Sequence, residues 1–344
     1  MKKHKDTSNT LNTTDLSPQR LAYIVCLLLT TLLISMALSL TSVQAAKLPA
    51  LKVKGTQLVN AGGRAVQLKG VSTHGLSWFP GYVDQRSFDH IKKKWKANCV
   101  RLAMYTSEYN GYCTGDAANR RQLEQQIDKG VRCATKAGLY VIIDWHILSD
   151  GNPRTYEKQA VRFFKKMASK YKKHTNVLYE ICNEPNNGTS WSTIKTYAKK
   201  VIKAIRARDE DGIILIGTPN WSQDVDTAAD SPIKGYKNLM YTLHFYAGTH
   251  GSYLREKAAT ALGKKLPLFV SEFGISDASG NGALNKQEGA QWMKFLKKHK
   301  ISYMGWNLSN KQESSSLLEP SCQKIADWKN ADLSPWGKWL IRQF

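Results

Sequence analysis

The sequence is short of cysteine, of acid and of internal repetition. Six Cys in 344 residues, with no CxxC pair and no Cys/His ligand spacing, exclude a disulfide scaffold and a structural zinc site. No Gly-X-Y period, heptad array or fixed repeat is present, which excludes fibres and solenoids. Asp and Glu number 27 against 50 Lys and Arg, leaving a net charge of +23. A hydrophobic content of 42% exceeds what disordered chains carry and suffices for one large core or two modest ones. Aromatic residues are plentiful, with ten Trp and fifteen Tyr.

Charge is also missing from Leu21 to Ala46, while Lys2, Lys3, Lys5 and Arg20 precede that run. A positive start followed by an apolar stretch marks export, and Val43-Gln44-Ala45 places small residues where a signal peptidase cuts. The stretch is as long as a bilayer-spanning helix. Residues 1–46 are therefore expected to be a signal peptide, or an anchor held by residues 21–43, and 47–344 the folded body. Either outcome puts the body outside the cytoplasm, secreted or extracytoplasmic, touching membrane only through an uncleaved segment. The body keeps 46 basic residues against 25 acidic. The excess sits in runs such as Lys92-Lys93-Lys94, Lys165-Lys166, Lys199-Lys200 and Lys297-Lys298. These fall on helical patterns and read as solvated faces. No nucleic-acid motif accompanies them, so no nucleic-acid partner is expected, whereas salt-sensitive attraction to anionic polymers stays open. Of Cys99, Cys113, Cys133, Cys182 and Cys322, the first and fourth lie in apolar strand patterns and read as core thiols. Export would permit a disulfide, but the sequence assigns none.

Leu58–Leu68 reads LVNAGGRAVQL, a small hairpin turning at Asn60–Gly63. Eight short apolar runs follow at 66–75, 98–106, 139–146, 176–185, 212–220, 239–248, 266–274 and 301–309. Between them lie stretches such as 156–173 and 190–209, with apolar residues at helical spacing and Lys or Arg opposite. Near-continuous apolar strands imply a parallel sheet covered on both faces. Eight βα units in this length predict an α/β fold, one closed (β/α)8 TIM barrel behind a small N-terminal β-hairpin. The rival is a doubly wound open sheet, but no GxGxxG follows the first strand.

Polar and aromatic residues collect at the C-terminal ends of these runs: His74, Arg101, Tyr105, His146, Asn183, Glu184, His244, Tyr246, Glu272 and Trp306. In a barrel those ends form one face, where active sites are built. Glu184 ends the run YEICNEP and Glu272 ends FVSEFG. On the fourth and seventh strands they would face each other across the mouth. Two opposed carboxylates are what cleavage of a glycosidic bond requires, one protonated to release the leaving oxygen and one ionised to attack or to activate water. Arg101 is placed to hold one of them as carboxylate. No HExxH or His-rich cluster suggests a metal, and neither metal nor cofactor is expected.

Read together, STHGLSW, VRLAMYT, LYVIIDWHIL, VLYEICNEP, LHFYAGTH, LFVSEFG and WNLSNK resemble, in order, the motifs of glycoside hydrolase family 5 cellulases of the bacterial endoglucanase type. The resemblance covers about residues 50–340. It implies Glu184 as general acid/base, Glu272 as nucleophile, and a retaining double displacement with carboxyls about 5–5.5 Å apart. It also implies that Arg101 orients Glu272, that Asn183 donates to the sugar 2-hydroxyl, and that His146, His244 and Tyr246 wall the −1 sugar. Trp306 would be the platform beneath that sugar. Trp78 and Trp221 would stack neighbouring sugars, and His74, Tyr105, Lys311 and Glu313 would touch sugar or nucleophile. Asn310 stands where Asp is expected, and the loop Asn186–Ser190 lies beside the acid.

The expected activity is therefore endo-hydrolysis of β-1,4-glucan by a cofactor-free monomer. No Ser/Thr/Pro-rich linker or second aromatic domain follows, which points to soluble or amorphous glucan. Rivals are another β-1,4-glycan (mannan, xyloglucan or mixed-linkage glucan) and an inactive sugar-binding barrel. A Schiff-base aldolase would need a strand-end Lys, for which only Lys69 and Lys311 offer themselves.

Overall fold

A computed structural model describes residues 48–344 and nine helical positions between 18 and 30. The expected export or anchor segment otherwise lies outside the described residues. Among the described residues no helix is long and apolar enough to cross a membrane. Residues 46–344 pack as one unit.

In that unit the apolar runs are strands and the amphipathic stretches are helices. A two-stranded antiparallel sheet, β1 (Leu51–Lys54) and β2 (Gln57–Asn60), comes first. Eight parallel strands then close in the order β10-β3-β4-β5-β6-β7-β8-β9. They are β3 (Lys69–Thr73), β4 (Cys99–Tyr105), β5 (Tyr140–His146), β6 (Val177–Glu180), β7 (Ile213–Ile216), β8 (Leu239–Tyr246), β9 (Leu268–Gly274) and β10 (Tyr303–Leu308). A helix follows each: α1 (Gln85–Lys93), α2 (Ala117–Ala137), α3 (Glu157–Tyr171), α4 (Trp191–Arg206), α5 (Val225–Asp230), α6 (Ser252–Gly263), α7 (Lys286–His299) and α8 (Pro335–Ile341). This is the (β/α)8 barrel that the sequence predicts.

Local chemistry sets the helix ends. Asp116 starts α2 by accepting from the Asn119 amide at 2.7 Å, and Gly138 ends it in the left-handed region (φ 72°). Ser190 and Asn285 cap α4 and α7 in the same way. Such caps satisfy amides that a helix leaves unpaired, each for about 1 kcal/mol.

The predicted hairpin is displaced. The Asn60–Gly63 turn exists, but its return leg makes only the bridge Val59–Ala65. The paired strands lie earlier and turn at Gly55-Thr56, because Gly55 supplies the positive φ (59°) a tight reversal needs. Leu51 and Leu58 of this hairpin pack against Leu68, Ile142, Leu178 and Phe269, the lowest layer inside the barrel. The hairpin is thus the barrel's floor. Burying each such side chain contributes about 1.5–3 kcal/mol. Outward residues such as Leu102, Ile143, Trp145 and Phe245 join helix residues such as Phe163, Ile202 and Trp292 in the larger core. All the described cysteines are free, with Cys99 and Cys182 fully buried.

Candidate active site

Inward residues change character from floor to mouth, because alternate residues of a strand share a face. On β4 they run Cys99, Arg101, Ala103, Tyr105, and on β5 Tyr140, Ile142, Asp144, His146. Apolar side chains fill the bottom, a charged layer lies above it, and aromatic and catalytic-type groups form the rim.

Arg101 organises the middle layer and is fully buried. Its Nε donates to Glu180 Oε2 at 2.7 Å, and Nη2 donates to Glu180 Oε1 at 3.2 Å and Asn183 Oδ1 at 2.6 Å, with Asp144 Oδ2 beside it at 3.0 Å. Nη1 reaches Glu272 Oε2 at 3.1 Å. A guanidinium suits this position because its planar donors serve several carboxylates at once. Burial works against an ionised Glu180, but the charge of Arg101 outweighs it and holds the carboxyl down at about 2. Burial raises Asp144 well above the usual range despite Arg101.

Glu272 owes its direction to a β-bulge. Tyr241 pairs with Leu268 and Thr242 with Phe269, but His244 pairs with Glu272, so β9 holds one residue more than β8 over this stretch. Plain alternation would turn Glu272 outward after the inward Ser271. The extra residue re-aims it, and Phe273 returns to the outer core. Glu272 Oε1 accepts from the Tyr246 hydroxyl at 2.8 Å. Burial and the nearby carboxylates raise the Tyr246 phenol well above its usual value, so it stays a donor.

Glu184 follows β6 and meets His244, whose Nδ1 is 2.9 Å from Glu184 Oε1. His244 Nε2 is 2.9 Å from Ser271 Oγ, and that hydroxyl donates to Glu180 Oε1 at 2.6 Å. A hydroxyl has one proton. Having given it to Glu180, Ser271 can only accept from His244, which fixes a proton on Nε2. Burial would lower His244, yet Glu180 and Glu184 prevail and raise it to about 9. Nδ1 is therefore protonated as well and donates to Glu184 Oε1. A proton carried by Glu184 then belongs on Oε2, the oxygen left for the cleft. His146 is the opposite case. Burial and Arg101 lower it to about 3, so it is neutral beside Asp144 Oδ2 at 2.6 Å.

Donor atoms of Glu184, His244 and Glu272 lie within 4.8 Å of one another. Among the described residues this group comes nearest to a cation site, but the His244 ring, protonated on both nitrogens, offers hydrogens where a metal needs lone pairs.

The mouth opens into a cleft of about 670 Å³. Of the residues predicted from sequence, His74, Tyr105, His146, Glu184, Trp221, His244, Tyr246, Glu272, Trp306, Lys311 and Glu313 line it. Arg101 and Asn183 sit beneath, fully buried. Both Asn183 amide hydrogens are engaged, by Ile147 O at 3.0 Å and His146 Nε2 at 3.3 Å, so the expected free donor to sugar is occupied. Trp78 lies next to the lining residues, beside His74 and Tyr105. It packs edge-on against Tyr105 and stays 37% exposed. Trp306 stacks on His146 with centroids 5.3 Å apart. Lys311 pairs with Glu313 at 2.5 Å. Lys69 begins β3 at the floor end, away from the mouth, so only Lys311, paired with Glu313, remains for the aldolase reading.

Trp221 is held out by an unusual turn. Asn220, Trp221 and Ser222 all have φ between 55° and 57°, a region costly for residues with a Cβ. Ser222 Oγ anchors the turn by donating to Asn183 O at 2.6 Å, and the Trp221 amide donates to Pro185 O. Trp221 is left 43% exposed on the cleft. Sequence reasoning missed Asp144, Glu180, Ser271 and His250. The first three sit one to three positions from recognised motif residues, within strands read as apolar.

The family description "Cellulase (glycosyl hydrolase family 5)" matches residues 59–312. The chain is 46% identical over 294 residues to endoglucanase A of Butyrivibrio fibrisolvens, covering 85% of this chain and 68% of that protein. It is 47% identical over 288 residues to an endoglucanase of Clostridium saccharobutylicum, covering 83% and 63%. The chain thus spans about two thirds of these relatives' length. The catalytic domain of Thermobifida fusca endoglucanase Cel5A, solved with cellotetraose, superposes with a TM-score of 0.80 at 36% identity, over 86% of this chain and 96% of that one. Cellulase Cel5C_n gives a TM-score of 0.82 at 44% identity, over 86% and 91%.

Proposed function

The chain belongs to the cellulases of glycosyl hydrolase family 5, and from that premise we propose that it hydrolyses internal β-1,4-glucosidic bonds with retention of configuration. One observation carries the residue assignment: carboxyl oxygens of Glu184 and Glu272 lie within 4.8 Å of each other at the head of the cleft. That spacing suits direct attack by one carboxylate and leaves no room for a water between the pair.

In the first step Glu184 gives its Oε2 proton to the glycosidic oxygen while Glu272 forms a bond to the anomeric carbon. Arg101 and Tyr246 hold both Glu272 oxygens, so the attacking group is oriented before substrate arrives. In the second step Glu184, now ionised and still bonded to His244, takes a proton from water as its oxygen displaces Glu272. The long Asn183–His146 bond is the one a sugar 2-hydroxyl would replace. Trp306 and Trp221 offer flat apolar surface to pyranose faces.

The test is viscosity loss against reducing-sugar release on carboxymethylcellulose, with anomer detection by proton NMR. Glu184→Gln and Glu272→Gln should each abolish turnover. Full activity in Glu272→Gln, or an initially inverted product, would remove the assignment. A panel including mannan, xyloglucan and mixed-linkage glucan identifies the polymer. We propose that the enzyme acts outside the cytoplasm, either released or anchored by residues 21–43, on the strength of the basic start and uncharged Leu21–Ala46 run. Mass spectrometry of the exported N-terminus decides whether that run is cut.

A further inference from the structure

The outer faces of α3 and α4 hold charge that the cleft does not use. Residues 154–208 contain fourteen Lys and Arg against three carboxylates, and two of those, Glu180 and Glu184, belong to the barrel interior. Only Glu157 stands on the outside. On α3, Lys158, Arg162 and Lys165 are exposed at spacings of four and three, and on α4, Lys199 and Lys203 at a spacing of four. Each set therefore shares one helix face, and the two helices pack side by side. Lys166, Lys170 and Lys200 are neutralised by Glu124, Asp128 and Glu157, whereas those five make no ion pair among the described residues. Like charges one turn apart repel, so this face is electrostatically costly while it stands alone.

We propose that the joined α3–α4 face is a docking surface for a linear polysaccharide bearing carboxylates, a polyuronate. Charge complementarity selects a polyanion. The rows place cations about 4.5–6 Å apart along each helix, close to one pyranose unit. None of the exposed large apolar side chains lies on α3 or α4. The face thus lacks the stacking platform of single-strand nucleic-acid binders and the apolar edge that enters a membrane. Because α4 follows the strand that presents Glu184, an acidic glycan held there lies on the same βα unit as the cleft, which takes neutral glucan. This surface stands whether or not the catalytic assignment does.

The test is binding of the full chain to fluorescently labelled sodium polygalacturonate. Affinity should fall about tenfold or more between about 50 and 200 mM salt, as counterions are released. The triple variant Lys165→Glu/Lys199→Glu/Lys203→Glu should bind at least about tenfold more weakly, with hydrolysis of a short neutral cello-oligosaccharide unchanged. The control Lys294→Glu/Lys297→Glu/Lys298→Glu on α7 makes the same change in net charge and should lose less than about threefold. If reversal unfolds the helices, Gln at the same three positions keeps helix propensity and gives the answer. Equal loss in both triples, no binding at about 50 mM salt, or tighter binding to duplex DNA or to phosphatidylserine vesicles would overturn the proposal.

Discussion

Ser271→Ala separates the chemistry of the mouth from the stability of the barrel. The hydroxyl links Glu180 to His244, at 2.6 and 2.9 Å. Its removal takes a hydrogen bond from a buried carboxylate and leaves Nε2 of His244 without its acceptor. A bond to a charged group is worth about 1.5–3 kcal/mol and an unsatisfied buried donor costs a similar amount. The expected loss is about 2–3 kcal/mol, or about 5–10 °C in Tm, which an enzyme of this size survives. The kinetic effect has a different signature. Without the bridge, Nε2 of His244 has no acceptor, and the ring moves down from about 9 while Glu180 and Glu184 still favour its charge; once neutral, it no longer has to donate through Nδ1. The catalytic proton can then settle on Oε1 of Glu184, facing the ring. We expect kcat to drop about ten- to hundredfold, KM to hold, and the alkaline limb of the rate profile to move down by about one pH unit. Initial rates on an aryl cello-oligosaccharide across pH read all three, and Ser271→Thr should restore the limb. An alkaline limb unmoved in Ser271→Ala, with kcat within about twofold, would refute the hydrogen-bond assignment.

Arg101→Lys keeps the charge but cannot serve Glu180, Asp144 and Glu272 together. Stranding buried carboxylates should cost about 3–5 kcal/mol in chemical denaturation, and activity should fall more than about hundredfold. Trp221→Ala should raise KM for cello-oligosaccharides about five- to tenfold with kcat retained, reflecting about 1 kcal/mol of stacking; a pure kcat loss in steady-state kinetics would contradict the platform role. Stability should decline on both sides of neutrality. His244 is raised to about 9, so its contribution of about 3 kcal/mol is complete below 6.5 and is lost as pH rises through 9. Burial lowers His74 and His250 to about 4 and His146 to about 3, so theirs is complete above 6.5 and is lost as pH falls toward those values. Urea midpoints flat from about pH 4 to 9 would contradict both signs. Gly70→Ala should lower Tm sharply, since its Cβ would lie 1.8 Å from Cys99 O, where β3 meets β4.

The barrel was legible because buried parallel strands advertise themselves as apolar runs, and all eight fall where those runs lie. Glu184 and Glu272 were legible as charge at strand ends. Glu180 and Asp144 were not, since an apolar strand context reads as core and says nothing of a guanidinium waiting across the interior. The aim of Trp78 was not legible, because a loop tryptophan's direction depends on packing, here against Tyr105. The hairpin slipped because two glycine-containing turns compete within twelve residues of sequence and only pairing decides between them. The basic runs looked scattered along the chain, and helical spacing together with the adjacency of α3 and α4 gathers several of them onto one side.

The irregularity in β9 ties function to strand length. Deleting Ser271 would mend the ladder with β8, and plain alternation would still turn Glu272 inward opposite His244, but the hydroxyl that joins Glu180 to His244 would be gone. The extra residue thus lets two consecutive side chains, Ser271 and Glu272, enter the same interior, one serving the buried charges and the other the cleft.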